Sequence, residues 1–208
     1  MNFKQPYEIR NKHAFFSPSK HTWLKWDRDI IAESWKNAKA AEIGTLIHGY
    51  AEDSINLGNK LLDKKSTLGM YVNDCIDYKM DTEVPLYYND LCFGHADALA
   101  FRRKKLRIFD LKTGLVTPGS MEQLLIYAAL FCFNKPEKYR NPGDLDWSWR
   151  FTGLATDPHS ISYDLRIYQF DQAICYEPSG DEIAEIMTII VENTDFIMNE
   201  LFSEEEIR

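Results

Sequence analysis

The chain is short of positive charge. Its 24 Lys and Arg stand against 32 Asp and Glu, a formal charge of −8. That balance argues against a protein that coats nucleic acid non-specifically, because such surfaces are basic. It leaves open an enzyme that takes nucleic acid into a local cleft, since bound cations reverse the sign where it matters. There is no CxxC pair: Cys75, Cys92, Cys132 and Cys175 are scattered, which disfavours zinc or iron–sulfur ligation and a disulfide framework, and implies buried thiols. No apolar run approaches membrane-spanning length, and MNFKQPYEIRNK lacks an apolar secretory segment. The expectation is a cytoplasmic protein with no membrane partner. No repeat or low-complexity tract interrupts the 208 residues, enough chain for a real core.

Hydrophobic periodicity predicts the elements. Ser-Pro-Ser at 17–19 reads as a turn with a capping serine, followed by a helix from about Asp27 to Ala41. A second helix is expected from Gly44-Thr45 to about Leu62, with Thr45 as N-cap. On its wheel Leu46, Ile47, Tyr50, Ala51, Ser54 and Ile55 form the apolar half, and His48 and Glu52 border it. A third helix is expected over Leu68 to Tyr78. Strands at Glu83–Tyr88, Leu91–Phe101 and Leu106–Leu111 then make an antiparallel meander, with Pro85 marking an edge. Ser120 should open a helix to Phe133. Two late strands, Trp149–Ala155 and Ile161–Phe170, and a closing helix from Asp181 complete the order, with a solvated SEEEIR tail. This predicts a mixed α/β (α+β) fold, a central mixed sheet flanked by helices behind an N-terminal helical segment. We expect one domain over 1–208: a mainly helical part to 80, a sheet and helix over 81–175, and a C-terminal helix over 176–208.

The chemistry concentrates in CFGHADALAFRRKKLRIFDLKTG, residues 92–114. Alternation predicts that Leu91, Phe93, His95, Asp97, Leu99 and Phe101 share one face, and Cys92, Gly94, Ala96, Ala98 and Ala100 the other. The short turn then sets Asp97 beside Asp110. Two such carboxylates repel unless a proton or cation lies between them. Lys112 could neutralise part of that charge. Hard oxygen ligands suit Mg²⁺ or Mn²⁺, and a metal with a nearby ammonium suits phosphodiester hydrolysis. A structural Asp–Lys pair at a strand end is the competing reading. For His48 and Glu52 the competing reading is an ordinary i, i+4 pair. Gln123 and Tyr127 lie four apart on one helix face and could reach a phosphate and a base, but Ser120-Met-Glu-Gln123 also fits a capping box. The basic turn Arg102-Arg103-Lys104-Lys105, with Arg107, could contact phosphates or be a solvated hairpin. Trp23, Trp26 and Tyr127 could stack unpaired bases, or the two tryptophans could simply pack.

Taken in order, GTLIHGYAE, GHADALAF, IFDLKTG and QLLIY resemble the RecB-like branch of the PD-(D/E)XK nuclease superfamily. That branch carries an early helical histidine, a GxxD strand, a DxK strand and a QxxxY helix. The likeness covers residues 44–127, and HAFFSPSKHTW is similar to the opening of phage-encoded members. The resemblance implies a restriction-endonuclease-like core. It implies His48, Asp97, Asp110 and the Leu111 carbonyl as metal ligands, and Lys112 as catalytic lysine. Gln123 would orient the lysine or the scissile phosphate, Tyr127 would face the DNA, and Glu52 would support the ligands. Some relatives hold an iron–sulfur cluster through one early and three late cysteines; with no early cysteine and Cys175 the only late one, no cluster is expected here. The implied activity is a Mg²⁺/Mn²⁺-dependent DNA exonuclease of phage replication or recombination. Its substrate would be a single- or double-stranded DNA end, and its partner a single-strand-binding or annealing protein. A structure-specific endonuclease and an inactive DNA-binding or assembly subunit are the alternatives.

Overall fold

Asp27 and Gly58 bracket the longest element. The computed structural model describes residues 14–114, 119–139 and 155–201. Helix α1 (Arg28–Leu57) opens with the Asp27 carboxylate accepting from the Ile30 amide at 2.9 Å. It closes at Gly58, whose φ of +69° suits a residue without a Cβ, while Asn59 N returns to Ser54 O at 2.8 Å. The break expected at Gly44 is absent. One helical glycine costs about 1 kcal/mol, less than disrupting the backbone ladder on either side of it. Thr45 does not cap; its hydroxyl donates back to Ala41 O at 3.1 Å. The expected apolar half is also incomplete: Ala51, Ser54 and Ile55 are buried, but Leu46 and Tyr50 are exposed.

The chain falls into two compact units that divide between Ile47 and His48, inside α1. In the first, a short 3-10 helix (Pro18–Lys25) precedes α1. Aromatic side chains hold it together: Phe15 meets Phe16, Trp26 and Trp35 edge-on, with centroids 4.8, 6.2 and 5.1 Å apart. Trp23 packs on Phe16 at 5.2 Å and its indole donates to Ser17 O at 2.9 Å. Trp23 and Trp26 are thus half-buried and packed against other aromatic rings.

The second unit is built on a five-stranded mixed sheet of order β1-β2-β3-β4-β5: β1 (Asp81–Asn89), β2 (Cys92–Arg102), β3 (Lys105–Leu111), β4 (Ser162–Gln169) and β5 (Gln172–Tyr176). Only β3 and β4 run parallel, and α3 (Met121–Phe133) lies between them in the chain. One face carries α3 and α4 (Gly180–Phe196). There Leu124, Ala128, Phe131, Ile183 and Ile190 pack on Val84, Leu86, Ile108, Leu165 and Ile167. The other face carries α2 (Thr67–Tyr78), where Tyr78 meets Phe109 at 5.6 Å and Tyr71 meets Tyr168 at 5.5 Å. The sheet is mixed and flanked by helices, and an N-terminal helical segment precedes it in the chain, as the periodicity predicts. β1 is an edge strand, which accommodates Pro85.

Two further expectations differ from the structure, and two others fall largely outside the described residues. Most of the strand expected at Trp149–Ala155 lies outside the described residues, as does the SEEEIR tail, and Ala155 itself is in no strand. β5 is absent from the expected order; it pairs antiparallel with β4 through the turn Phe170-Asp171, both at φ 54°. Such a turn normally advertises itself with glycine or asparagine; here the Asp171 carboxylate accepts from Thr67 N at 2.7 Å and from its hydroxyl at 3.1 Å, holding the turn instead. The thiols are all free; Cys75 and Cys132 are buried as expected, but Cys92 is half-buried and Cys175 is exposed. Among the described residues no helix is long and apolar enough to cross a membrane.

Candidate functional site

The antiparallel ladder stops where the chemistry starts. β2 and β3 pair regularly from Arg102↔Lys105 to Ala98↔Phe109 and no further. Beyond that point the Asp97 carboxylate, not a backbone carbonyl, accepts the Leu111 amide at 3.0 Å. Across β2 on the other side, Thr82↔Ala98 and Val84↔Ala96 are paired, leaving Glu83 and Asp97 opposite each other. Glu83 sits at φ +49°, a left-handed conformation costly for a residue with a Cβ.

These two positions reset the alternation of both strands. Cys92, Ala96 and Val84 face the α3 core, yet so do Leu99 and Phe101. The single face expected to carry Phe93, His95, Asp97, Leu99 and Phe101 is therefore broken at Asp97: Phe93 and His95 are exposed, while Leu99 is buried. The break turns Asp97 into the space between β2 and β3. The sequence assigns Glu83 no role, because Glu-Val-Pro reads as ordinary strand.

Four elements deliver the candidate residues. From α1, His48 Nδ1 lies 3.5 Å from Asp97 Oδ2. From the end of β3, Asp110 presents a side chain only 2% exposed. Lys112 Nζ lies 3.1 Å from Asp110 Oδ1 and 2.9 Å from Oδ2. Only the Oδ1 contact has hydrogen-bond geometry, so the buried Oδ2 has an ionic neighbour and no hydrogen-bond donor. From α3, Gln123 Oε1 accepts from Lys112 Nζ at 2.8 Å, and Gln123 Nε2 donates to the Tyr127 hydroxyl at 3.1 Å. The capping box is therefore not formed, and Ser120 donates to Glu122 instead. Gly94 gives Tyr127 its place: a Cβ there would lie 2.9 Å from Tyr127 Cε1.

Electrostatics follow from burial. Loss of solvent raises the Asp97 carboxyl above its ordinary range, only partly offset by the Leu111 amide, His48 and Lys112, and Glu83 adds to the rise. Asp110 is raised by burial first and by Asp97 second, against the pull of Lys112. Burial likewise raises the Tyr127 phenol. Two adjacent carboxyls whose charged forms are both disfavoured by burial mark a site short of positive charge.

Among the described residues no three His, Cys, Asp or Glu side chains form a closed group able to hold a metal ion as they stand. The donor chemistry still fits a hard divalent cation: an imidazole, two carboxylates raised by burial, and the undonated Asp110 Oδ2. Glu52 is half-buried one turn beyond His48. Leu111 is buried, and its amide is bound to Asp97.

The basic turn is not part of this cluster. Arg103 and Lys104 form a tight hairpin turn at φ 52° and 61°. It lies at the far end of β2, roughly 20 Å along the strand from Asp97. Arg102 reaches Lys79 O at 3.4 Å, and Lys105 pairs with Glu177 at 2.8 Å. Arg107 stands on the α2 face, over the Tyr78 ring at 4.6 Å and 3.3 Å from Asp164.

Comparison with protein-family models, with curated proteins and with solved structures gives no match.

Proposed function

We propose that the chain is a divalent-metal-dependent DNA nuclease, an exonuclease that hydrolyses phosphodiester bonds at DNA ends. One observation carries the reading: Lys112 is held at once by Asp110 and Gln123, beside an Asp97 that has left the β ladder and touches His48. A structural Asp–Lys pair needs neither the glutamine nor the ladder break. The ordered likeness of His48, Gly94-Asp97, Asp110-Lys112 and Gln123-Tyr127 to RecB-like nucleases supplies the substrate class.

His48, Asp97, Asp110 and the Leu111 carbonyl would hold Mg²⁺ or Mn²⁺. When bound, the cation would acidify a water and offset charge on the attacked phosphate. Lys112 contributes a fixed ammonium beside the carboxylates, placed to stabilise charge developing on the phosphate. Gln123 keeps that ammonium from swinging into solvent, and Tyr127 holds Gln123. Asp97 anchors the end of β3 through the Leu111 amide, which keeps Asp110 and Lys112 in register with His48. In the cell the substrate would be a single- or double-stranded end in phage or prophage replication or recombination, handed on by a single-strand-binding or annealing protein.

The test is cleavage of end-labelled linear single- and double-stranded DNA and of a covalently closed circle, with and without Mn²⁺ or Mg²⁺. Metal-dependent loss of linear DNA alone, abolished by Asp110→Ala and Lys112→Ala, is the expected result. Cutting of the circle would establish an endonuclease. No cleavage of any substrate would leave a non-catalytic DNA-binding or assembly subunit.

A further inference from the structure

Gln169 ends β4 and is 2% exposed. A primary amide that deep in a protein has to be bonded at both ends. Its Nε2 donates to Gly114 O at 2.7 Å, and its Oε1 accepts from Gly119 N at 2.8 Å. Both glycines lie in the link from Lys112 to α3, Gly114 near its start and Gly119 near its end. Gly119 is lodged against the lysine itself: a methyl added there would lie 3.0 Å from Lys112 Cγ and 2.9 Å from Ile167 Cγ2. The neighbouring residue of β4, Tyr168, accepts the Lys112 amide at 3.0 Å.

We infer that Gln169 is a positioning residue for Lys112. It clamps Gly114 and Gly119 so that the Gly119 backbone buttresses the lysine stem and presents the ammonium to Asp110 and Gln123. A lysine side chain is long and flexible, and two contacts at its head do not fix its stem. The wall formed by Gly119 and Ile167 does. The same clamp fixes where α3 begins, because Ser120 follows Gly119 and Gln123 lies in the first turn of the helix. Lys112 and Gln123 therefore meet at 2.8 Å with the help of a buried amide bonded to the two glycines between them in the chain. The sequence offers no sign of this, since Gln169 reads as the polar end of a strand.

The inference rests on Lys112 being the catalytic cation, so its test has an arm that does not need catalysis. Gln169→Ala, Gln169→Glu and Gly119→Ala would be made in the full chain. Cleavage by each would be measured with Mn²⁺, with KM for DNA and Mn²⁺ affinity read separately. The ¹H–¹³C signals of the Lys112 Cε methylene would be recorded for each, assigned by their loss in Lys112→Arg. Gln169→Ala and Gly119→Ala should lower kcat about 10- to 100-fold, the scale of a small misplacement of a reacting group, with KM and Mn²⁺ affinity unchanged. The two inequivalent Lys112 Hε resonances of a held side chain should merge. Gln169→Glu keeps the acceptor for Gly119 N and should restore part of the loss. A wild-type kcat in both variants, or lowered kcat with unaltered Lys112 resonances, overturns the inference. If Gln169→Ala does not fold, Gly119→Ala perturbs the same contact from the other side. If the wild type cleaves nothing, the nuclease reading fails, and the resonances alone decide whether the clamp holds Lys112.

Discussion

Replacing Gly94 by alanine tests the link between packing and chemistry. The added Cβ would stand 2.9 Å from Tyr127 Cε1 and 3.6 Å from its hydroxyl oxygen. Carbon atoms rest at about 3.5–4.0 Å, so the ring has to withdraw by roughly 0.6–1 Å. That movement stretches the 3.1 Å bond from Gln123 Nε2 to the Tyr127 hydroxyl toward breaking. Overpacking of this kind costs about 1–3 kcal/mol. In a domain of this size that lowers Tm by roughly 2–12 °C. The assay is thermal unfolding of the wild type, Gly94→Ala, Tyr127→Ala and the double variant, as a double-mutant cycle. Because Tyr127→Ala removes the obstructing ring, the Gly94→Ala penalty should vanish in that background. The reasoning is refuted if Gly94→Ala costs nothing in the wild type, or costs the same with and without the ring.

Other consequences are as direct. Asp110 is held above the ordinary carboxylate range, so its protonated form favours the fold. That contribution is complete below the unfolded value of about 3.9 and is lost as pH rises through the raised folded value. Asp110→Asn should therefore melt higher than wild type at pH 7 in EDTA, by a margin that shrinks as pH falls toward 4, while abolishing cleavage; a lower melt at pH 7 contradicts this. Asp164 is 7% exposed and pairs with Arg166 at 2.8 and 3.0 Å and with Arg107 at 3.3 Å. Asp164→Ala should cost about 1.5–3 kcal/mol in urea unfolding, because Arg107 loses its carboxylate while Arg166 keeps Asp74 at 3.2 Å. Lys79 caps α2 at φ 52°, so Lys79→Gly should gain about 1 kcal/mol in the same measurement by relieving the left-handed strain.

How far the sequence carries depends on which residues bear the signal. The β2–β3 hairpin is legible because Leu91–Phe101 and Leu106–Leu111 are apolar runs around four basic residues. The α4 stripe is legible because Ile183 and Ile190 are two helical turns apart on a face that is buried. Alternation failed at Asp97 because it assumes an unbroken strand, and nothing in Glu83-Val-Pro announces a left-handed backbone. The glycine at 44 suggested a boundary that the α1 ladder overrides. β5 has no buried residue in Gln172–Tyr176, so no period-2 contrast marks it. Within the site, the order His48, Asp97, Asp110, Lys112, Gln123, Tyr127 could be read along the chain. That Gln123 serves Lys112 rather than the Ser120 amide could not, because both partners are equally near in sequence logic. Gln169 is brought to the site by β3–β4 pairing alone, a contact between segments far apart in the chain.

The most direct measurement is Mn²⁺ binding to the wild-type chain, followed by calorimetric titration and by the accompanying rise in Tm. His48→Ala, Asp97→Ala and Asp110→Ala would be titrated beside it. The account predicts a saturable site that stabilises the wild type and is lost or severely weakened in each variant. No binding to the wild type, or binding that survives all three substitutions, would contradict it and return Asp110–Lys112 to a structural ion pair.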